Sequence, residues 1–289
     1  MLNEKEDWDE ISRTPGLSEE FIRENSDKLD WYCIPIYQIL SEQFIIENSN
    51  LIDWFLIARY QKLSEEFIRK NIDKLKLDRI SKFQKLSEEF IRDNSEKIDW
   101  YNISISQKLS EKFIKEFSDL VDWMTISAYQ KLSEGFIRDN SNKVHWYRIA
   151  RYQKLSPEFI KEYDLTIPKN CWLYKDKEFK REYIKDNTEY EIIGDKVIAY
   201  KSCRSDGYSA YNFQYHYEVG GEYESNANYN IDENNSFGLS AWTKENALSH
   251  YPDGKLFKVE IDLEDIAAIV YEGYKIRASK IKILEEISI

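Results

Sequence analysis

Apolar and polar positions recur along the first two thirds of the chain with a fixed period of 23 residues. Leu-Ser-Glu begins at Leu17, Leu40, Leu63, Leu86, Leu109 and Leu132, and becomes Leu-Ser-Pro at Leu155. No insertion interrupts these seven units. Phe takes the fifth position every time, from Phe21 to Phe159, and Ile follows it in each unit. Trp falls at the fifteenth position in Trp31, Trp54, Trp100, Trp123 and Trp146, while Leu77 replaces it in the third unit. A register held this long marks a stacked repeat.

Each unit predicts two short helices. Leu, Phe and Ile at positions 1, 5 and 6 form one apolar side over about two turns. The Ser is an N-cap, and the Glu after it suits the positive end of a helix. Asn at position 9 (Asn25, Asn48, Asn71, Asn94, Asn140) is expected to stop the helix in the left-handed conformation. Asp30, Asp53, Asp99 and Asp122 then cap a second helix that buries the Trp and an Ile three residues on. A small residue or Pro beside that Ile (Pro35, Ala58, Ser81, Ser104, Ser127, Ala150) lets helices approach closely. Helices of roughly eight residues do not stand alone, so the units must stack into an α-solenoid. Half-units at Asp7–Ser12 and Glu182–Asn187 are expected to cap it.

After about residue 187 the period disappears. Strands are predicted at Glu191–Ile193, Lys196–Lys201, Tyr211–Val219, Leu256–Leu263 and Lys275–Leu284, with a helix over Lys244–His250. The expected fold class is therefore α+β and multi-domain: an N-terminal α-solenoid over 1–188 and a small α+β domain over 189–289.

Two resemblances extend this reading. The Leu-Ser-Glu-x-Phe-Ile and Asp-Trp signatures resemble short helical repeats of giant DNA viruses, phages and AT-rich bacteria, which implies a surface for partners. In the second part, Val197–Ser202, Phe213-Gln214-Tyr215 and Glu218–Tyr223 are similar to an uncharacterised phage and prophage domain. That family continues with a small-residue strand (here Phe237–Ala241), a helix before Tyr251-Pro252 and a closing Lys280–Ile283 strand. It brings no activity with it.

Composition narrows the function classes. Forty-one Lys and Arg stand against 53 Asp and Glu, a formal charge of −12, which speaks against a general nucleic-acid binder. With 33% charged and 15% aromatic residues the chain fits neither a disordered nor a membrane protein. It has no run of about 18 apolar residues and no leader-like N-terminus, so no membrane partner is expected. The isolated Cys33, Cys171 and Cys203 fit a reducing compartment, the cytoplasm (the host's, if the chain is phage-encoded).

Charge is sorted by repeat position. Position 7 holds Arg23, Arg69, Arg92, Lys115, Arg138 and Lys161. These lines would track a phosphate backbone or pair with the Glu lines at positions 3, 4 and 8, and pairing is the expectation. The third unit adds a local basic patch. With its flanks it supplies the candidate partner-binding residues Arg59, Lys76, Arg79, Lys82 and Lys85, to which the sixth unit adds Arg148 and Arg151. A Gln near each unit's end (Gln38, Gln61, Gln84, Gln107, Gln130, Gln153) would read peptide or bases, or satisfy polar groups of a neighbouring unit. The second role is expected.

Metal and cofactor signals are weak. His145, His216 and His250 share no ligand spacing, and His145 takes the place of the capping Asp. Asp232-x-Asn234-x-Ser236-x-Gly238 is expected as a polar turn. No cofactor, metal or small-molecule substrate is expected. These features favour a non-enzymatic interaction protein that binds a protein or ribonucleoprotein complex, with room for local RNA contact. The resemblance to phage and viral proteins implies inhibition of host defence, in the manner of an anti-CRISPR. The alternative comes from a similarity of strand order to ADP-ribosyltransferases. It implies Tyr200 stacking on nicotinamide, Ser240 supporting its ribose and Glu285 or Glu286 acting on the acceptor, with the solenoid as targeting arm.

Overall fold

The computed structural model describes residues 7–209, 215–251 and 254–288. Helices fill the N-terminal part, and an antiparallel sheet of eight strands fills the C-terminal part.

The repeat unit folds as its sequence dictates. First helices run Glu19–Glu24, Glu42–Glu47, Glu65–Lys70, Glu88–Asp93, Glu111–Glu116, Glu134–Asp139 and Pro157–Glu162. Each begins with a Ser whose hydroxyl accepts the N–H of the Phe three residues later. Position 9 departs from expectation. Asn25, Asn48, Asn71, Asn94 and Asn140 have φ between −104° and −120°, not left-handed values. Instead each Asn side-chain amide donates to the Phe carbonyl four residues back, at 2.8–3.0 Å, and closes the helix end that way. A side-chain donor replaces the missing backbone donor at the C-terminus.

Second helices include Trp54–Tyr60, Trp100–Ser106 and Trp123–Tyr129, capped by the carboxylates of Asp53, Asp99 and Asp122. His145 occupies the N-cap of Trp146–Tyr152 but makes no side-chain capping bond. The Trp rings are half-buried, not buried. Each indole N–H reaches the carbonyl five residues back, as Trp54 does to Ser49. Its ring lies on the Phe of the following unit, as in Trp31–Phe44, Trp54–Phe67 and Trp123–Phe136, with centroids 6.1–6.3 Å apart.

The Gln ladder binds successive units together. Gln61 Oε1 accepts the Leu40 N–H at 2.9 Å, while its Nε2 donates to the carbonyls of Pro35 and Gln38 at 2.6 and 2.8 Å. Gln84, Gln107 and Gln153 repeat the pattern, and all of these Gln side chains are buried. Their amides satisfy the neighbouring unit, as expected, and are not available to read a ligand. A second tie joins Glu at position 3 to the capping Ser of the next unit. Glu42 Oε1, for example, accepts the Ser64 N–H at 2.6 Å.

The described residues divide into two compact units, one over 7–107 and the other from 108 onward. The first contains repeats alone. The second joins the remaining helices to the sheet, whose strands follow the last long helix, Lys177–Asn187.

The strands are β1 (Glu191–Ile193), β2 (Lys196–Cys203), β3 (Glu222–Glu224), β4 (Leu239–Trp242), β5 (Lys255–Asp262), β6 (Ile266–Val270), β7 (Lys275–Ala278) and β8 (Lys280–Ile287). Their order is β3-β8-β5-β2-β4-β7-β6, and β1 shares with β4 one edge of β2. Two expectations need correction. Residues 211–214 of the strand expected over Tyr211–Val219 lie outside the described residues. The rest of that stretch forms no strand, and its ladder contact is a single bridge from His216 to Tyr208. The strand expected over Lys275–Leu284 is two strands, because Ser279 turns aside to donate its N–H to the Asp265 carbonyl at 2.8 Å. One sheet face carries the core, with Val197, Ala199, Val259, Ile276 and Ile283 packed on Trp172 and Ile184. The opposite face holds Tyr200, Trp242, Lys275 and Arg277, since alternate residues of a strand point to opposite sides.

Candidate functional site

Charge in the repeats is sorted between the two kinds of helix. In the first unit the first helices carry Glu19, Glu42, Glu65 and Glu88 at their N-termini. The second helices Trp54–Tyr60, Leu77–Phe83 and Trp100–Ser106 carry Arg59, Arg79 and Lys82 and a single acid, Asp78. Large aromatic side chains stand exposed on the same helices or just before them. Tyr32 is 62%, Phe55 37% and Tyr101 54% exposed. They occupy position 16, the residue after the Trp position, and sequence reasoning missed them. The available signal was an apolar residue recurring at position 16 in five units, as Tyr32, Phe55, Tyr101, Met124 and Tyr147.

Cations and rings interleave on this surface. The Arg79 guanidinium lies 4.7 Å from the Phe55 ring centre, and Arg59 lies 5.0 and 5.4 Å from those of Tyr60 and Phe83. Lys82 also lies over Phe83, at 5.4 Å. Arg79 is paired with Asp78 at 3.3 Å. Lys76 and Lys85 are exposed. The Lys76 backbone has φ +58°, ψ +119°, so the third unit reaches its second helix without the extended capping residue that Asp53, Asp99, Asp122 and His145 provide. This is where Leu77 replaces Trp.

Three of the position 7 cations are engaged between repeats. Arg23, Arg69 and Arg138 each bridge to the acid at position 8 of the next unit (Glu47, Asp93, Glu162) at 2.9 Å. The same guanidiniums lie over Phe44, Phe90 and Phe159 at 4.7–4.8 Å.

In the second unit, Arg148 is half-buried and Arg151 is turned inward, 9% exposed. Arg151 pairs with Glu233 at 3.1 Å and donates to the Tyr147 hydroxyl at 3.0 Å, so it supports the fold instead of facing a partner. Glu233 belongs to a polar loop that packs Phe237 against Tyr129 and Tyr152, with ring centres 4.3 and 5.2 Å apart. Asn228 and Asn230 donate to the Glu233 carboxylate at 2.6 and 3.0 Å. Burial raises the carboxyl of Glu233, but these amides and Arg151 outweigh it and hold it below its ordinary value. Arg277, fully buried, donates to the carbonyls of Asn228, Glu233 and Asn234 and gathers the loop from beneath. The segment that carries the Asp232–Gly238 spacing is thus a loop organised around arginine. Among the described residues no group of three or more His, Cys, Asp or Glu side chains is placed to hold a metal.

Tyr200 pairs with Trp242, and Ser240 with Arg277, across β2, β4 and β7. Glu285 and Glu286 lie on β8 and are paired with Lys258 at 3.4 Å and Lys255 at 3.2 Å. In register, β5 and Lys258 therefore stand between Glu285 and Tyr200. Compared with known protein families, curated proteins and solved structures, the chain has no match. Among the described residues, no helix is long and apolar enough to cross a membrane.

Proposed function

We propose that this chain is an interaction protein, an α-solenoid joined to a β-rich head, that binds a macromolecular target through the second-helix face of its first unit. The observation that carries this reading is the interleaving of exposed Tyr32, Phe55 and Tyr101 with Arg59, Arg79 and Lys82. Tyr and Arg are the side chains most often found at binding hot spots, and Arg stacked on a ring keeps its N–H edge for an acceptor. A basic and aromatic face on an acidic chain favours an acidic partner surface and disfavours pairing of two such faces. The target class is a protein or ribonucleoprotein complex. The viral and phage character of the resembling repeats adds a host defence complex as the specific target, with inhibition as the outcome.

The test is capture of such a complex by the tagged full chain, comparing the wild type with Arg59→Glu/Arg79→Glu and with Tyr101→Ala. Retention should fall sharply in both variants and weaken with added salt. Retention equal to wild type in both folded variants, or no retention by the wild type, overturns the reading.

A further inference from the structure

Six cationic side chains are buried among the described residues: Arg151, Lys180, Lys201, Arg204, Lys275 and Arg277. Five of them donate to protein oxygens. Arg151 pairs with Glu233 and Arg204 with Asp206. Lys180 donates to the carbonyls of Glu264 and Ile266, Lys201 to that of Ser240, and Arg277 to those of Asn228 and Glu233. Lys275 is the exception. It is 6% exposed, yet its ammonium donates to no described protein oxygen and pairs with no described carboxylate. A buried cation without an acceptor is costly, and proteins ordinarily avoid it.

Aromatic rings surround this ammonium. Lys275 Nζ lies 4.9 Å from the Trp242 ring centre and 5.4 Å from that of Tyr271. The two rings are 5.6 Å apart, and His250 lies 5.0 Å from Trp242. Register places Tyr200, Trp242 and Lys275 side by side across β2, β4 and β7. Two residues along β2, on the face of Tyr200, the Ser202 hydroxyl is buried without a partner. Lys275 Nζ, by contrast, is not sealed off from solvent. The turn beside it is built to hold Tyr271. Tyr271 and Glu272 have φ of +53° and +54°, and the Tyr271 hydroxyl donates to Asn235 Oδ1 at 2.6 Å. Such backbone values persist only where surrounding contacts enforce them.

Among the described residues, the charge acting on Lys275 is positive. Burial first, then Arg277, pushes the Lys275 amine down to about 8. Burial, then Lys275 and Lys201, pushes the His250 imidazole down. No acid among the described residues contributes to the Lys275 shift. An oxyanion supplies what the site lacks, because charge-assisted bonds to an ammonium are the stronger kind. The half-buried rings of Trp242 and Tyr271 suit a flat body attached to that anion.

We infer that this face of β2, β4 and β7 binds a small planar oxyanion, an aromatic carboxylate or phosphate, with its anionic group on Lys275 and its ring against Trp242. The ligand neutralises the buried ammonium without any covalent step. The site is made of other residues than the repeat face proposed for the macromolecular target, and stands or falls independently of it.

Titration of the full chain with phenylphosphate, benzoate and inorganic phosphate, followed at the indole N–H resonance of Trp242 (assigned with Trp242→Phe), tests the inference. Phenylphosphate or benzoate should shift that resonance saturably and bind more tightly than inorganic phosphate. Lys275→Met, folded by its amide spectrum, should weaken binding at least about tenfold, equivalent to roughly 1.4 kcal/mol. In the wild type, which needs no variant to fold, the same ligand should slow acetylation of Lys275, read by mass spectrometry. No saturable shift with any of the three, or no protection of Lys275, overturns the site. Equal binding of inorganic phosphate overturns the role given to the rings.

Discussion

Gln84 Nε2 donates to the backbone carbonyl of Gln61, one repeat earlier, at 2.8 Å. The same amide donates to Ala58 O at 2.7 Å, and Gln84 Oε1 accepts the Leu63 N–H at 3.1 Å. One buried side chain thus satisfies two carbonyls of the preceding unit and the first N–H of its own. Gln84→Ala should leave all three without partners. An unsatisfied buried polar group costs about 1–3 kcal/mol, so the loss should be at least that large. Gln84→Glu, nearly isosteric, should also destabilise, because a carboxylate cannot donate to the two carbonyls. Urea denaturation followed by far-ultraviolet circular dichroism checks both. Midpoints equal to wild type would remove the ladder from the account of stability.

Lys76 stands where four other units have the capping Asp, and its φ of +58° is one that side-chain-bearing residues rarely adopt. Lys76→Gly should relieve that strain and stabilise the third unit by about 0.5–1 kcal/mol. Lys76→Ala keeps the Cβ and removes only the charge, so it should give no gain. Hydrogen exchange in helix Leu77–Phe83 reads the difference locally. Equal protection in the two variants would assign any effect to charge.

The repeats were legible because one pattern states the same local physics seven times. The Ser caps, the apolar Leu, Phe and Ile, and the bonding role of Gln could be deduced from spacing alone. The stop at Asn25 and its equivalents was misjudged because Asn has two ways to end a helix, and its side-chain bond to the Phe carbonyl leaves no trace in composition. In the sheet, β6 escaped notice: Ile266–Val270 is buried throughout, so it shows no alternation of apolar and polar residues. Arg151 looked like a surface cation because its partner, Glu233, is 82 residues away in sequence. Lys275 gave no signal at all, since its burial depends on Trp242 and Tyr271 arriving from β4 and the β6–β7 turn.

Lys180, Lys201 and Lys275 are each pushed down to about 8, with burial the leading cause in all three. In the unfolded chain they hold their protons up to about 10.4. From about pH 8 upward the unfolded state therefore binds more protons than the folded state, and stability rises with pH. Each group adds at most about 1.4 kcal/mol per pH unit in that window. Cys203, pushed up to about 12 mainly by burial, opposes the trend once pH passes the ordinary thiol value. Urea midpoints should thus rise from about pH 7.5 to about pH 10, less steeply above the ordinary thiol value, where Cys203 opposes the three amines. Lys201→Met should reduce the slope. A midpoint independent of pH across this window would contradict the burial of these amines.

The pair Arg151–Glu233 links a repeat helix to the loop that carries Phe237. Arg151 is 9% exposed, and its Nε is already buried without a partner. Removing the carboxylate would leave a buried guanidinium with the Tyr147 hydroxyl as its remaining acceptor, and would free the amides of Asn228 and Asn230. Breaking a buried pair from one side is more damaging than replacing both partners, because the surviving charge stays desolvated. Because the Glu233 carboxylate itself is 43% exposed, the cost of Glu233→Ala should be smaller than for a fully buried pair, about 1–2 kcal/mol, with a looser loop. Arg151→Met/Glu233→Gln, which removes the charge from both sides, should recover much of that loss. Because Glu233 is held below its ordinary value in the folded state, the pair supports stability at neutral pH and loses it as pH falls through that lowered value. A double-mutant cycle by urea denaturation at pH 7, repeated at acid pH, measures the coupling. If the single variant is no less stable than the double, the two residues act separately and the loop is held by Arg277 and Phe237 alone.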